Sequence, residues 1–157
     1  MDSPDLGIKN PEPDSTIPIR VLIVEDEIGL GKLLSMQLEV DPHVTPISCT
    51  SGEEALKLLR SARERNATFD LVISDHDLGS GMNGLKLAGL ARGEFPSIRF
   101  TLYTAIEEKI RNTYTPQQLK ENGVDRVIRK PAQMASLLEE VRQTRILKQS
   151  QSGNPQT

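Results

Sequence analysis

Aliphatic runs and four-residue leucine spacings alternate along most of this chain. Arg20 to Glu25 is a solid aliphatic run, β-branched at Val21, Ile23 and Val24. Such a run predicts a strand covered on both faces. From Glu27 to Val40, Leu30, Leu34 and Leu38 recur at four-residue spacing with Leu33 beside them, which is a helical stripe. Val44 to Cys49 predicts a weaker strand, and Pro46 places it at a sheet edge. Thr50 or Ser51 can cap the next helix, with Glu53 and Glu54 in its first turn, and that helix runs to about Arg65. Leu71-Val72-Ile73-Ser74 is the next buried strand. A Gly-rich loop follows, then a short helix from about Gly84 to Arg92. Ile98 to Thr104 predicts a strand, and Ile106 to Asn122 a mainly helical stretch with a potential break at Thr115-Pro116. Val124 to Arg129 is the last strand and Ala132 to Lys148 the last helix.

Five strand–helix alternations call for a doubly wound α/β fold: a five-stranded parallel sheet with helices on both faces and right-handed crossovers. Met1 to Ile19 carries four prolines, several acids and no apolar periodicity, so residues 1–19 are expected to be a disordered tail. Residues 149–157 are polar and small and form a second expected tail. The block between them, residues 20–148, is one domain of ordinary size. The start of the chain lacks the basic stretch and apolar segment of a signal peptide.

Composition narrows the function. The 157 residues carry a formal net charge of −3 with 26% charged residues, which argues against a general nucleic-acid binder. Aromatics make up 3% and Trp is absent, so the core must be built from Leu, Ile, Val and Ala, and a base-stacking platform is hard to assemble. No apolar run is long enough to span a bilayer. The single Cys excludes an internal disulfide and a Cys-based zinc site; Cys49 reads as a small apolar filler.

In an open parallel sheet, ligands sit beyond the carboxyl ends of the strands. Directly after the aliphatic runs come Glu25, Asp26 and Glu27; Asp75, His76 and Asp77; Thr104 and Ala105; and Lys130 with Pro131. Neighbouring carboxylates raise one another's cost of ionisation, and one lysine is too little to offset Glu25, Asp26 and Asp75. Mg²⁺ would supply the missing positive charge, held by Glu25, Asp26 and Asp75, with the backbone carbonyl of Asp77 completing the set. The arrangement suits phosphoryl transfer onto a carboxylate, with Asp75 as nucleophile, Lys130 paired with one phosphoryl oxygen and the Thr104 hydroxyl donating to another. His76 reads as a loop histidine beside the site. Lys109, Arg111 and Lys120 read as a solvated helix face.

Val-Leu-Ile-Val-Glu25-Asp26-Glu27, Leu-Val-Ile-Ser-Asp75-His-Asp-Leu, Leu-Tyr-Thr104-Ala105 and Val-Ile-Arg-Lys130-Pro131, in that order, resemble the receiver domain of bacterial two-component response regulators. Ser51-Gly52-Glu53-Glu54-Ala55-Leu56 resembles that family's second-helix start. The resemblance covers about Arg20 to Lys148. It implies the flavodoxin-like strand order 2-1-3-4-5 and a cis Lys130-Pro131 bond. It also implies an acidic metal pair at Glu25 and Asp26, a phosphoacceptor at Asp75, a switch hydroxyl at Thr104 and a phosphoryl-pairing lysine at Lys130. The donor it implies is a phosphohistidine on a histidine kinase or histidine phosphotransfer protein. The product would be a stand-alone cytoplasmic signalling domain, monomeric or weakly dimeric, acting on a downstream protein target rather than on nucleic acid or membrane, and not a turnover enzyme. The chain departs from the family at Gly79, where Pro is common, and at Val127, where an aromatic often sits; the loop after Asp75 and the stretch from Thr104 to Lys130 are longer than usual. Two alternatives stand beside this reading. One is a receiver-like binding module that is never phosphorylated. The other is a haloacid-dehalogenase-type phosphatase using Asp75-His-Asp77, although that family places its nucleophile on the first strand.

Overall fold

The computed structural model describes residues 12–152; the tail expectations for residues 1–11 and 153–157 lie outside the described residues. Among the described residues, five strands alternate with six helices. The strands are β1 (Ile19–Val24), β2 (Val44–Cys49), β3 (Leu71–Asp75), β4 (Arg99–Thr104) and β5 (Arg126–Arg129). The helices are α1 (Ile28–Leu38), α2 (Gly52–Glu64), α3 (Gly84–Glu94), α4 (Glu107–Thr113), α5 (Pro116–Glu121) and α6 (Met134–Ser152). Every strand pair is parallel and the sheet order is β2-β1-β3-β4-β5. This is the doubly wound, five-stranded sheet that the alternation predicts, and β2 with its Pro46 lies at an edge, where a missing N–H leaves no gap in a central ladder.

The period of two along each strand divides the core. Leu22, Val24, Val72, Phe100 and Leu102 face one side with Leu56, Leu59, Leu87 and Ala88. Val21, Ile23, Leu71, Ile73, Tyr103 and Ile128 face the other with Leu34, Leu38, Leu137 and Val141. Because both faces are covered, the central strands are aliphatic throughout, and each buried Leu, Ile or Val contributes about 1.5–3 kcal/mol from the area it removes from water. Glu140 on α6 is also fully buried. It accepts hydrogen bonds from Arg99 and from the Thr101 hydroxyl, and Arg126 stands 3.3 Å away. A charge so buried persists only when paired in this way, and the pairing fixes α6 across β4 and β5.

Two expectations need correction. Leu33 belongs to the leucine stripe of α1 in sequence but is 50% exposed, alongside Met36 and Val40; one residue is a 100° rotation, so a stripe centred on Leu34 and Leu38 turns Leu33 off the core. The stretch after Ile106 divides into two helices at the Thr115-Pro116 break that the sequence offers. Thr115 is extended, as a residue before proline must tend to be, and it forms a reciprocal capping box with Gln118 while Pro116 occupies the first turn of α5. Within the described residues the fold also extends into both expected tails. Helix α6 continues through Ser152, taking in residues 149–152, because each added residue gains a backbone hydrogen bond once the helix is nucleated. At the other end Ile19 opens β1, and the residues before it lie on α6. The Asp14 N–H donates to Gln149, Arg142 pairs with Glu12, Arg145 donates to the Ile17 carbonyl and Lys148 to that of Pro18. Such docking runs through backbone carbonyls and basic side chains, so it leaves no apolar period to read.

Leu137 is fully buried where α6 meets the sheet. Leu137→Ala is expected to cost about 2–5 kcal/mol in urea unfolding through the cavity it leaves, whereas Leu33→Ala should stay within about 0.5 kcal/mol of wild type, as surface changes do.

Candidate functional site

The strand ends bring four of the expected residues to one place. Glu25 follows β1 directly and is 2% exposed; Asp75 ends β3 and is 6% exposed. Asp26 is exposed beside them. Glu25, Asp26 and Asp75 each offer one carboxylate oxygen, and these oxygens lie within 4.8 Å of one another. Lys130, just past β5, reaches across β4 to this cluster. Its Nζ donates to Asp75 Oδ2 at 2.7 Å and stands 3.0 Å from Glu25 Oε1. The second contact is an ion pair by distance that lacks hydrogen-bond alignment, so Glu25 Oε1 is buried without a hydrogen bond among the described residues.

Backbone contacts set this geometry. The Lys130 N–H donates to the Thr104 carbonyl at 2.9 Å, which fixes where the lysine leaves the sheet, and the Lys130–Pro131 peptide is cis. Gly84 opens α3 against the end of β3. Its N–H donates to the His76 carbonyl at 2.8 Å, and a Cβ there would come within 2.4 Å of the Asp75 carbonyl, so no larger residue fits unless the backbone under Asp75 moves. The loop after Asp75 folds back over the site. The Asp77 N–H donates to Asp75 Oδ1, and Gly79 N–H to Asp77 Oδ1, both at 3.3 Å. Gly79 sits at φ +76°, close beside Asp26, a conformation glycine adopts without strain. Glu53, at the start of α2, accepts from the Met82 N–H at 3.1 Å and ties down the far end of this loop.

Thr104 ends β4 and is buried; its Oγ1 accepts from the Ile106 N–H at 3.1 Å. His76 is half-buried with Nδ1 unpartnered among the described residues. One neighbour of the cluster was not anticipated: the ring of Tyr103, whose centroid is 5.1 Å from Lys130 Nζ. Its place directly before Thr104 was the available signal, because alternation turns it to the opposite face of β4, toward α6.

The response regulator receiver domain family model matches residues 21–142. This chain belongs to that family. Among curated relatives it is 41% identical over 86 residues to the response regulator protein FleR of Pseudomonas aeruginosa, covering 55% of this chain and 17% of that protein. It is 27% identical over 137 residues to the transcriptional regulatory protein FlgR of Helicobacter pylori, covering 87% of this chain and 32% of that one. This receiver domain therefore spans a third or less of the length of these relatives. Among solved structures, response regulator protein TrrA from Thermotoga maritima in complex with Mg(2+)-BeF is 27% identical, with a TM-score of 0.64 over 80% of this chain and 98% of that one. A CheY-like receiver domain protein from Methanospirillum hungatei, 22% identical, shares the fold with a TM-score of 0.66 over 85% and 98%.

The electrostatics of the receiver site are those of an unbalanced cluster. Burial pushes the Glu25 carboxyl above its usual range, and its contacts with Lys130 only partly oppose this. Burial also disfavours the Lys130 charge, but Asp75 and Glu25 outweigh it and raise the ammonium above the ordinary lysine value. Three carboxylates against one ammonium, with only oxygen donors on offer, fit a hard divalent cation such as Mg²⁺. Cys49 plays no part here; burial pushes its thiol up to about 12, in keeping with a filler of the β2 edge.

Removing the ammonium should leave the acids uncompensated. Lys130→Ala is expected to lose roughly 3 kcal/mol at pH 7, the low end for breaking a buried pair because this site is partly open. A raised lysine pKa means the contribution is present at every pH below the ordinary lysine value, so at neutral pH it is lost only by mutation. The deficit should shrink toward pH 4, where Glu25, raised above its usual range, takes up a proton; urea titrations of both proteins across that range measure it. Folded protein at pH 8 should leave Cys49 unlabelled by a disulfide-exchange reagent, with full labelling only after unfolding.

Proposed function

We propose that this receiver domain accepts a phosphoryl group on Asp75 from a phosphohistidine of a partner histidine kinase or histidine phosphotransfer protein, and that the modified domain changes its binding to a downstream protein. The observation that carries this reading is the Lys130 ammonium 2.7 Å from Asp75 Oδ2, among carboxylates that need further positive charge. One Asp75 oxygen forms the bond to phosphorus while the phosphorus–nitrogen bond of the donor breaks. The imidazole keeps the bonding pair and takes up a proton. Lys130 moves from pairing a free carboxylate to pairing a phosphoryl oxygen. The Thr104 hydroxyl at present only accepts, from Ile106, so its proton is available to a second phosphoryl oxygen. Mg²⁺ held by Glu25, Asp26, Asp75 and the Asp77 carbonyl would neutralise developing charge on the phosphoryl group.

The route to a partner runs through Ile106, the N-cap residue of α4. A Thr104 hydroxyl drawn toward Asp75 takes the Ile106 N–H and the first turn of α4 with it. Beyond that turn lies a groove of about 500 Å³ between α4, α5 and β5, lined by Arg111, Tyr114, Leu119, Lys120 and Val127. Val127 is small and cannot swing as an aromatic would, so this reading assigns the movement to α4. No helix among the described residues is long and apolar enough to cross a membrane; the proposed setting is the cytoplasm, where kinases of this class draw on ATP. The domain assists its own phosphorylation and slow phosphoryl loss without acting as a turnover enzyme.

Incubation with Mg²⁺ and acetyl phosphate, followed by intact-mass measurement, should show the gain of one phosphoryl group in wild type. Asp75→Asn should show none, and chelation of the metal should slow labelling by at least about tenfold, the factor corresponding to roughly 1.4 kcal/mol of transition-state stabilisation. An equal gain in Asp75→Asn would overturn the proposal.

A further inference from the structure

Charge accounts for two of the groups around the Lys130 ammonium, Asp75 and Glu25. It does not account for the third. Tyr103 lies on β4 between Asp75 of β3 and Ile128 of β5 in the parallel register. It is 3% exposed and packs among Ile23, Ile73, Ile128 and Leu137. Its ring stands 5.1 Å from Lys130 Nζ, within the range in which a ring face attracts a cation. One rigid, buried side chain on the neighbouring strand therefore faces the tip of Lys130.

A lysine side chain loses considerable rotamer freedom when held in one place, and carboxylates alone attract an ammonium without fixing its direction. A ring closes one side of the space open to it. Removing that ring would leave the same charges and a lysine freer to leave Asp75. A smaller apolar residue would preserve the packing of β4 but provide no face for the cation.

We infer that Tyr103 is a positioning residue for Lys130: its ring holds the ammonium against Asp75. The functional consequence rests on Asp75 being the phosphoacceptor, whereas the positioning itself does not.

Two variants separate ring from hydroxyl. Tyr103→Phe keeps the ring; Tyr103→Leu removes it. The first measurement, on the full chain without any phosphodonor, is the ¹H–¹⁵N signal of the Lys130 ammonium, assigned by its disappearance in Lys130→Arg. Wild type and Tyr103→Phe should give a resolved signal displaced by the ring, and Tyr103→Leu should shift it to the position of a free lysine or broaden it away. An unchanged signal in Tyr103→Leu overturns the inference. The second measurement is labelling of Asp75 by acetyl phosphate with Mg²⁺. Tyr103→Leu should be slower by roughly 3- to 30-fold and Tyr103→Phe within about twofold of wild type. Equal slowing in both variants overturns the role of the ring, because general packing would then suffice. If wild type itself takes no phosphoryl group, the phosphoacceptor reading fails, and the ammonium signal still decides the positioning. Should Tyr103→Leu not fold, Tyr114→Phe leaves Tyr103 as the one tyrosine in a chain without Trp. Its emission should change when beryllofluoride and Mg²⁺ are added, and an unchanged emission in protein that ¹⁹F NMR shows to have bound beryllofluoride overturns the inference.

Discussion

Carboxylates delivered by the ends of β1 and β3 crowd one edge of the sheet, and a single ammonium, reaching over β4 from the end of β5, stands among them. Most features around the site bear on this imbalance. Burial, opposed only in part by Lys130, holds Glu25 above the ordinary carboxyl range, and the acids hold Lys130 above the ordinary lysine range. Lys130 arrives from the opposite half of the sheet, so the site exists only when β1, β3, β4 and β5 are assembled in the observed order. Oxygen donors left short of positive charge in this way suit a hard cation.

The surroundings of the cluster divide into parts that hold still and parts free to respond. Gly84 seats α3 hard against the backbone of Asp75, and Glu53 secures the far end of the loop that passes Asp26. These contacts keep Asp75 and this loop in register. Thr104 is held more lightly: a single bond from the Ile106 N–H engages its hydroxyl oxygen, and its proton is uncommitted. That bond is the most direct link between the site and α4. The two short helices α4 and α5 follow it, and Arg111 of α4 donates to the Val127 carbonyl of β5 at 2.8 Å.

Helix α6 supports the opposite side of the sheet by a different means. Glu140 is fully buried; its Oε1 accepts from Arg99 and Thr101 and its Oε2 stands 3.3 Å from Arg126, so two strands and a helix share one charge cluster. Arg145 joins Asp41 to the Ile17 carbonyl, and this locks α6 to the segment leading into β1. Buried pairs of this kind add modest net stability compared with apolar packing, while losing one partner is costly. Their effect is to define a single seating for α6, beneath which Leu137 and Tyr103 pack.

Local pattern was sufficient for the elements: continuous aliphatic runs made β1 and β3 legible, Pro46 marked the edge strand, Thr50-Ser51 marked a helix start and Thr115-Pro116 a helix break, and the acids, threonine and lysine placed directly after the runs pointed to the candidate site. These signals are local because strand covering, capping and proline geometry are each decided within a few residues. Tertiary structure alone decided what depends on rotation or on distant partners. Leu33 faces outward because the helix phase is set by Leu34 and Leu38; residues 12–18 lie on α6 through polar contacts more than a hundred positions away. Tyr103 reads in sequence as one more core residue of β4. Only the crossing of β5 beside it brings the Lys130 ammonium over its ring, because the position of a charge at the sheet edge is fixed by strand order rather than by neighbours along the chain.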